Sequence, residues 1–293
     1  MKTMTGQAGN GRGLVLVRVG ADHRIAGLLN VPRQKRDWDL AVSLYEEVPF
    51  ADDACIDFLH CYRGGKWDGI HAFFAENPEL LARYDYFWLV DDDIEVTPAQ
   101  VDKLFDYVRI HDFELAQPAL TLDSYYSYRL TLHCPGFLHR YTNFVEIMAP
   151  VLSRHVLENV IPHFANTRSG LGIDWHWHDL VARPERGIAI IDAVPVGHRR
   201  PLRQHLRGKM REDGVCPDME MKRLVEALEL KRVFAIAKAG VLRDRRTVES
   251  RFQMACMMTW AYWLVRDRIT ARPWSFPEFV FFGWRQMFMS LSQ

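Results

Sequence analysis

The sequence predicts an α/β fold, a sheet of buried strands flanked by helices, with a mostly helical appendage at its C-terminal end. Three observations predict it. Residues 84–96, YDYFWLVDDDIEV, join a continuously apolar and aromatic run to three consecutive carboxylates, the pattern of a parallel strand buried on both faces that ends at a polar site. Comparable runs, LVLVRV at 14–19 and IAIIDAVPV at 188–196, recur with helix-like segments between them. Beyond residue 201 the strand-like runs give way to helical periodicity.

In chain order, a Gly-rich start leads into the first strand over 14–19, closed by Gly20-Ala21-Asp22. Arg18 within it has two readings: a guanidinium that snorkels to water from an edge strand, or a strand-end arginine facing a phosphate. Residues 39–45, DLAVSLY, predict a second strand, and 46–53 its acidic exit loop. The glycine pair in RGGKWDG, 63–69, frees the backbone before a helix over 70–78 whose N-terminus, with Lys66 beside it, suits an anion. A βαβ unit would bring that end and the Asp-tipped strand to one edge of the sheet.

A helix is expected over 98–111 and a short strand over 113–118. Residues 120–141 show little periodicity and predict a long loop or irregular hairpin, in which Tyr125, Tyr126 and Tyr128 either stack on a sugar or base or pack as ordinary amphipathic rings. A strand over 143–153 and a Ser-capped helix over 154–164 follow. In RSGLGIDWHWHD, 168–179, two glycines place Asp174 among aromatic and imidazole groups that would raise its pKa or stack on a ring. The HxH pair there has no Cys or HExxH partner and is not read as a zinc site. The strand over 188–196 ends in Gly197-His198-Arg199-Arg200, a combination suited to a metal-bound diphosphate. Helices are expected over 219–239 and 246–269, before an unusually aromatic tail at 274–284.

The expected organisation is a catalytic domain over 1–205 and a helical, basic and aromatic region over 206–293. Five scattered cysteines without a CxxC pair point to reduced thiols and away from zinc or disulfide frameworks. The N-terminus has no apolar stretch before a cleavage site, and no uninterrupted apolar run reaches transmembrane length. The expectation is a cytoplasmic protein, peripheral at the inner membrane face if its C-terminal region touches lipid. Charge is uneven: residues 1–200 carry 20 Lys+Arg against 27 Asp+Glu, and residues 201–293 carry 17 against 10. The basic third calls for an anionic partner; with no basic, aromatic-interleaved module, nucleic acid is not expected.

Three carboxylates at a strand's C-terminal end suit a hard divalent ion held by Asp91 and Asp93, or else solvated turn and capping residues. The order of features resembles a GT-A type glycosyltransferase: Asp91-Asp92-Asp93 matches its DxD motif, residues 169–174 its Gly-rich acidic segment, with Ile173 where Glu is common, and His198 its downstream metal ligand. More narrowly, GGKWDG, YDYFWLVDDDIEV, QPALTLDSYYS, YTNFVEIMAP and SGLGIDWHW resemble an uncharacterised bacterial and plant family of domain-of-unknown-function proteins, over roughly residues 14–201.

The resemblance implies a Rossmann-like GT-A mixed sheet and metal-dependent hexosyl transfer, with inversion, from a nucleoside-diphosphate sugar to a glycan or lipid-linked acceptor, as in polysaccharide biosynthesis. It implies Mn²⁺ or Mg²⁺ on Asp91, Asp93 and His198, with Mn²⁺ favoured if the imidazole ligates. Arg18, Lys66, Asp92, Arg199 and Arg200 would meet the nucleotide diphosphate, and Asp174 would deprotonate the acceptor. Two other classes remain open: a metal-dependent phosphoryl-transfer or hydrolase enzyme, for which no P-loop or kinase signature is present, and a non-catalytic sugar-nucleotide-binding protein.

Overall fold

The computed structural model describes residues 12–46, 54–201 and 216–289; the loop expected over 46–53 therefore falls almost wholly outside the described residues. Strand alternation divides the interior into two cores. Every residue of β1 (Gly13–Val19) is buried, with Leu14 and Leu16 on one face and Val15, Val17 and Val19 on the other. In β4 (Tyr86–Asp91) Phe87 and Leu89 oppose Trp88 and Val90 in the same way.

The other elements are α1 (Ala26–Leu29), β2 (Trp38–Leu44), β3 (Phe58–Cys61), α2 (Lys66–Glu76), α3 (Glu79–Arg83), β5 (Ile94–Glu95), α4 (Pro98–His111), β6 (Leu115–Leu120), β7 (Phe137–Thr142), β8 (Val151–Ser153) and α5 (Arg154–Phe164). They continue with α6 (Ile173–His176), β9 (Ile188–His198), α7 (Pro217–Ala227), β10 (Ala237–Leu242), β11 (Thr247–Val248), α8 (Arg251–Leu264) and α9 (Phe276–Phe288). α2 and α5 cover one face with Trp67, Phe73, Val156 and Phe164. α4, α8 and α9 cover the other with Leu104, Phe105, Met258, Tyr262 and Phe282. Each such side chain contributes roughly 1.5–3 kcal/mol by leaving water.

The sheet runs β11-β10-β7-β9-β6-β8-β4-β1-β2-β3, with β5 pairing off this path to β9. It is mixed: β3, β2, β1 and β4 are mutually parallel, and β8 is antiparallel to both of its neighbours, β4 and β6. Register sets Arg18 opposite both Ser43 and Asp91, and β5 sets Ile94 opposite His198. The carboxyl ends of β1, β2, β4 and β9 thereby meet at one edge. α4 begins where expected because Thr97 and Gln100 form a reciprocal capping box with Pro98 in the first turn, and it stops at Asp112, left-handed at φ 51°.

Several expectations change. The helix expected over 219–239 ends at Ala227, and residues 237–242 pair with β7 as a strand; the second expected helix begins only at Arg251, where Ser250 caps it. The region after 216 thus extends the sheet as well as adding helices. The loop expected over 120–141 includes the start of β7, and of the strand expected over 143–153 only Val151–Ser153 is regular. A buried ion pair, Arg140 on β7 with Asp192 on β9 at 2.8 Å, holds the Tyr262 hydroxyl of α8 at 3.1 Å and so ties that helix to the sheet. Among the described residues no helix is long and apolar enough to cross a membrane.

Candidate active site

The turn after β4 presents the three aspartates in three different states. Asp91 Oδ1 accepts a 2.6 Å bond from Lys66 Nζ, and about a third of the side chain is exposed (35%). Burial pushes its pKa up to about 6, against the opposing pull of Lys66. Asp92 turns inward: Oδ2 accepts from the Gly20 N–H and the Tyr45 hydroxyl, and Oδ1 from Arg200, which closes the ends of β1 and β2 onto the turn. Asp93 is buried with Oδ2 3.2 Å from His198 Nε2, while its Oδ1 is buried without any hydrogen-bond partner. Burial works to raise Asp93, but the His198 bond and charge and the Arg200 charge outweigh it and hold the carboxyl below its ordinary value.

Asp93 and His198 are the two side chains here that could serve as ligands of a divalent cation. His198 Nδ1 donates to the Tyr125 carbonyl at 2.8 Å, which turns Nε2 toward Asp93, the arrangement that commonly orients a metal-ligating imidazole. The 3.2 Å between Nε2 and Oδ2 is close to the roughly 3 Å that separates adjacent ligands bound at about 2.1 Å around an octahedral ion. Among the described residues no group of three or more His, Cys, Asp or Glu side chains is arranged to hold a metal ion, so the protein would supply at most two ligands here. An ion here would take part of its shell from a bound phosphate, as Mg²⁺ and related ions ordinarily do.

The basic residues divide. Arg200 bridges the turn, with Nη1 3.3 Å from Asp92, Nη2 on the Asp22 carbonyl and Nε 3.7 Å from Asp93. Arg199 is turned to surface pairs with Glu95 and Asp123, at 2.8 and 2.7 Å. Lys66 places all three ammonium protons, on Asp91 and on the carbonyls of Ile147 and Met148. Arg18 is buried and its five N–H groups are all engaged, on Ser43 Oγ and the carbonyls of Leu44, Tyr62, Gly64 and Gly65. Burial lowers its pKa to about 10. Arg18 thus holds the Gly64-Gly65 loop, and Lys66 the 147–148 segment, against the strand ends. Gly69 is needed at this contact, since a Cβ there would lie 2.3 Å from the Arg18 guanidinium carbon.

Asp174 lies in the first turn of α6, behind Gly170 and Gly172 at φ 69° and 96°. It is buried, it accepts from the Tyr128 hydroxyl at 3.4 Å, and burial reinforced by the charge of Glu146 pushes it up to about 7. Glu146 went unread in the sequence. It is buried, its backbone N–H donates to Gln117 Oε1 at 2.6 Å, and its Oε2 has no partner. Burial pushes it too up to about 7, with Ser127, His198, Asp91 and Lys66 all close enough to act on it. Glu146 thus links the triple-aspartate turn to Asp174. The available signal was one carboxylate inside the apolar run FVEIM.

These features define a mixed α/β sheet with an acidic cluster at the carboxyl ends of its strands. Residues 37–141, from the start of β2 to β7, match the model of a family described as a protein of unknown function (DUF707). No curated protein matches the chain. Among solved structures the chain is similar to S. aureus TarS 1–349 in complex with UDP-GlcNAc, with TM-score 0.47 and 7% identity over 67% of this chain and 60% of that one. It is also similar to S. aureus TarS, with TM-score 0.43 and 9% identity over 74% and 42%, and to TarS 1–349 in complex with UDP, with TM-score 0.40 and 7% identity over 63% and 59%. The chain spans less than two-thirds of the length of each.

Proposed function

We propose that the protein is a GT-A type glycosyltransferase that moves a sugar from a nucleoside-diphosphate donor to an acceptor hydroxyl, with inversion. One observation carries the reading: a buried carboxylate oxygen without a partner, Asp93 Oδ1, shares a sheet edge with two carboxyls tuned near neutrality, Glu146 and Asp174. Glycosyl transfer needs both parts, a cation-assisted anchor for the leaving diphosphate and a base for the attacking hydroxyl.

Asp93 and His198 would supply two ligands to Mn²⁺ or Mg²⁺, with Asp91 reaching the ion through water, and the ion would neutralise charge on the departing diphosphate. Arg200 adds a second positive charge at the same place, while Asp92 keeps the turn closed. Asp174 takes the acceptor proton, as its raised pKa suits a base working near neutral pH. Attack by that hydroxyl on the face opposite the diphosphate inverts the anomeric centre in one displacement.

The test is a thermal-shift and product-release screen of UDP, GDP and TDP sugars with and without Mn²⁺. A ligand at about a hundred times its Kd should stabilise by roughly 2.7 kcal/mol. Free nucleoside diphosphate should accumulate only once an acceptor is supplied. No metal-dependent shift with any donor would reject the proposal.

A further inference from the structure

The C-terminal helices carry charge and apolar surface that nothing in the described chain answers. α9 exposes Phe276, Val280, Trp284 and Phe288, every fourth residue, so one stripe faces outward along its length. Beside the stripe a cavity of about 70 Å³ is walled by Ser127, Tyr128, Arg129, Arg272, Phe281 and Arg285, among others. One water needs roughly 10–15 Å³, so a group larger than water fits.

Three arginines gather here around a single carboxylate, Glu278, which pairs with two of them. Arg129 pairs with Glu278 and lies over the Trp274 ring, while Arg272 reaches the same Glu278 only at 3.9 Å. Among the described residues no carboxylate pairs with Arg285. Its guanidinium lies over Phe234 and Phe281, at 5.3 and 5.8 Å, and its buried Nε has no hydrogen-bond partner. Burial and the charges of Arg129 and Arg232 hold Arg285 below the usual arginine range, a repulsion that a bound anion would relieve. The cavity also adjoins the acidic pair, because Tyr128 in its wall hydrogen-bonds Asp174.

We infer that this cavity is an anion subsite for the acceptor, which is an anionic amphiphile: a phosphate-type group on Arg285 and Arg272, and an apolar chain along Phe281, Trp284 and Phe288. Charge complementarity selects the anion. The apolar chain follows from continuity, since Phe281 both lines the cavity and stacks on Trp284, with ring centroids 5.9 Å apart. Only the word acceptor rests on the glycosyltransferase reading; the binding needs neither donor nor cation.

The test is isothermal titration of the full chain with octyl phosphate below its micelle concentration, beside inorganic phosphate as the probe without a tail and octyltrimethylammonium as the same tail with opposite charge. Octyl phosphate should bind about ten-fold or more tighter than either control. Arg285→Gln should lose about ten-fold in octyl phosphate affinity and Arg285→Lys less, because the charge is kept. Trp284→Ser should weaken octyl phosphate and leave inorganic phosphate unchanged. If Arg285→Gln fails to fold, Arg272→Gln at the more exposed position carries the same test.

Equal binding of octyl phosphate by the folded charge-removed variant, or equal binding of either control probe by the wild type, would overturn the inference. Asp93→Asn should bind octyl phosphate as the wild type does. A failed donor screen with intact octyl phosphate binding would reject the transferase reading alone, and the converse the subsite alone.

Discussion

The triple-aspartate turn and the Glu146–Asp174 pocket are both acidic and both largely withdrawn from water, yet only the turn has enough donors and positive charge to hold one of its carboxyls, Asp93, below its ordinary value. At the turn Lys66 meets Asp91, a backbone N–H, a tyrosine and Arg200 meet Asp92, and His198 meets Asp93. In the pocket Asp174 has the Tyr128 hydroxyl, and Glu146 Oε2 has nothing. At the turn donors and positive charge hold Asp93 below its ordinary value, although burial raises Asp91, to about 6, and Asp92; in the pocket, despite Ser127 on Glu146, burial pushes both carboxyls up to about 7. The same chemical group is thus prepared as a cation ligand in one place and as a proton acceptor a short distance away.

The sharpest way to break this contrast is to neutralise the pocket. Asp174→Asn should lower transfer by about 10²- to 10⁴-fold, the usual worth of a positioned base. Wild-type transfer should rise with pH through about 7, because only the deprotonated Asp174 accepts a proton, and Asp174→Asn should lose that limb. Glu146→Gln removes a negative charge that helps to raise Asp174, so the limb should move to lower pH with a smaller loss of rate. pH–rate profiles of the three proteins decide it. If Glu146→Gln abolishes transfer while Asp174→Asn keeps it, the base is Glu146.

A smaller effect is expected where an arginine holds the site together without facing it. Arg18→Met leaves the Gly64, Gly65 and Tyr62 carbonyls without their donor and should destabilise by about 2–4 kcal/mol, read from urea unfolding. Donor affinity of the folded fraction should stay near the wild-type value. A large loss of affinity at unchanged stability would return Arg18 to the nucleotide.

What the sequence made legible follows from how locally each feature is determined. β1, β4 and β9 were readable because strands buried on both faces must be apolar throughout, and the aspartates stood out by ending such a run. β10, AKAGVL, has few residues that favour a strand; pairing with β7 decides its state, and that partner lies about a hundred residues earlier. Arg18 was visibly odd in its strand, but the groups that occupy it lie 25 to 47 residues downstream. Glu146 was hidden for the same reason: a single Glu in an apolar run says nothing until the fold brings Gln117, Ser127 and Asp174 around it.

The claim that the two acidic clusters do separate work is tested most directly by titrating one nucleoside diphosphate, the best of the donor screen, into wild type, Asp93→Asn and Asp174→Asn. Each titration is run with Mn²⁺ and again with EDTA. Binding should depend on Mn²⁺ and weaken roughly 10- to 100-fold or more in Asp93→Asn, as for loss of a group that holds a metal. Asp174→Asn, being nearly isosteric and outside that shell, should bind as the wild type does. Mn²⁺-dependent binding left intact by Asp93→Asn, or lost equally in both variants, would contradict it.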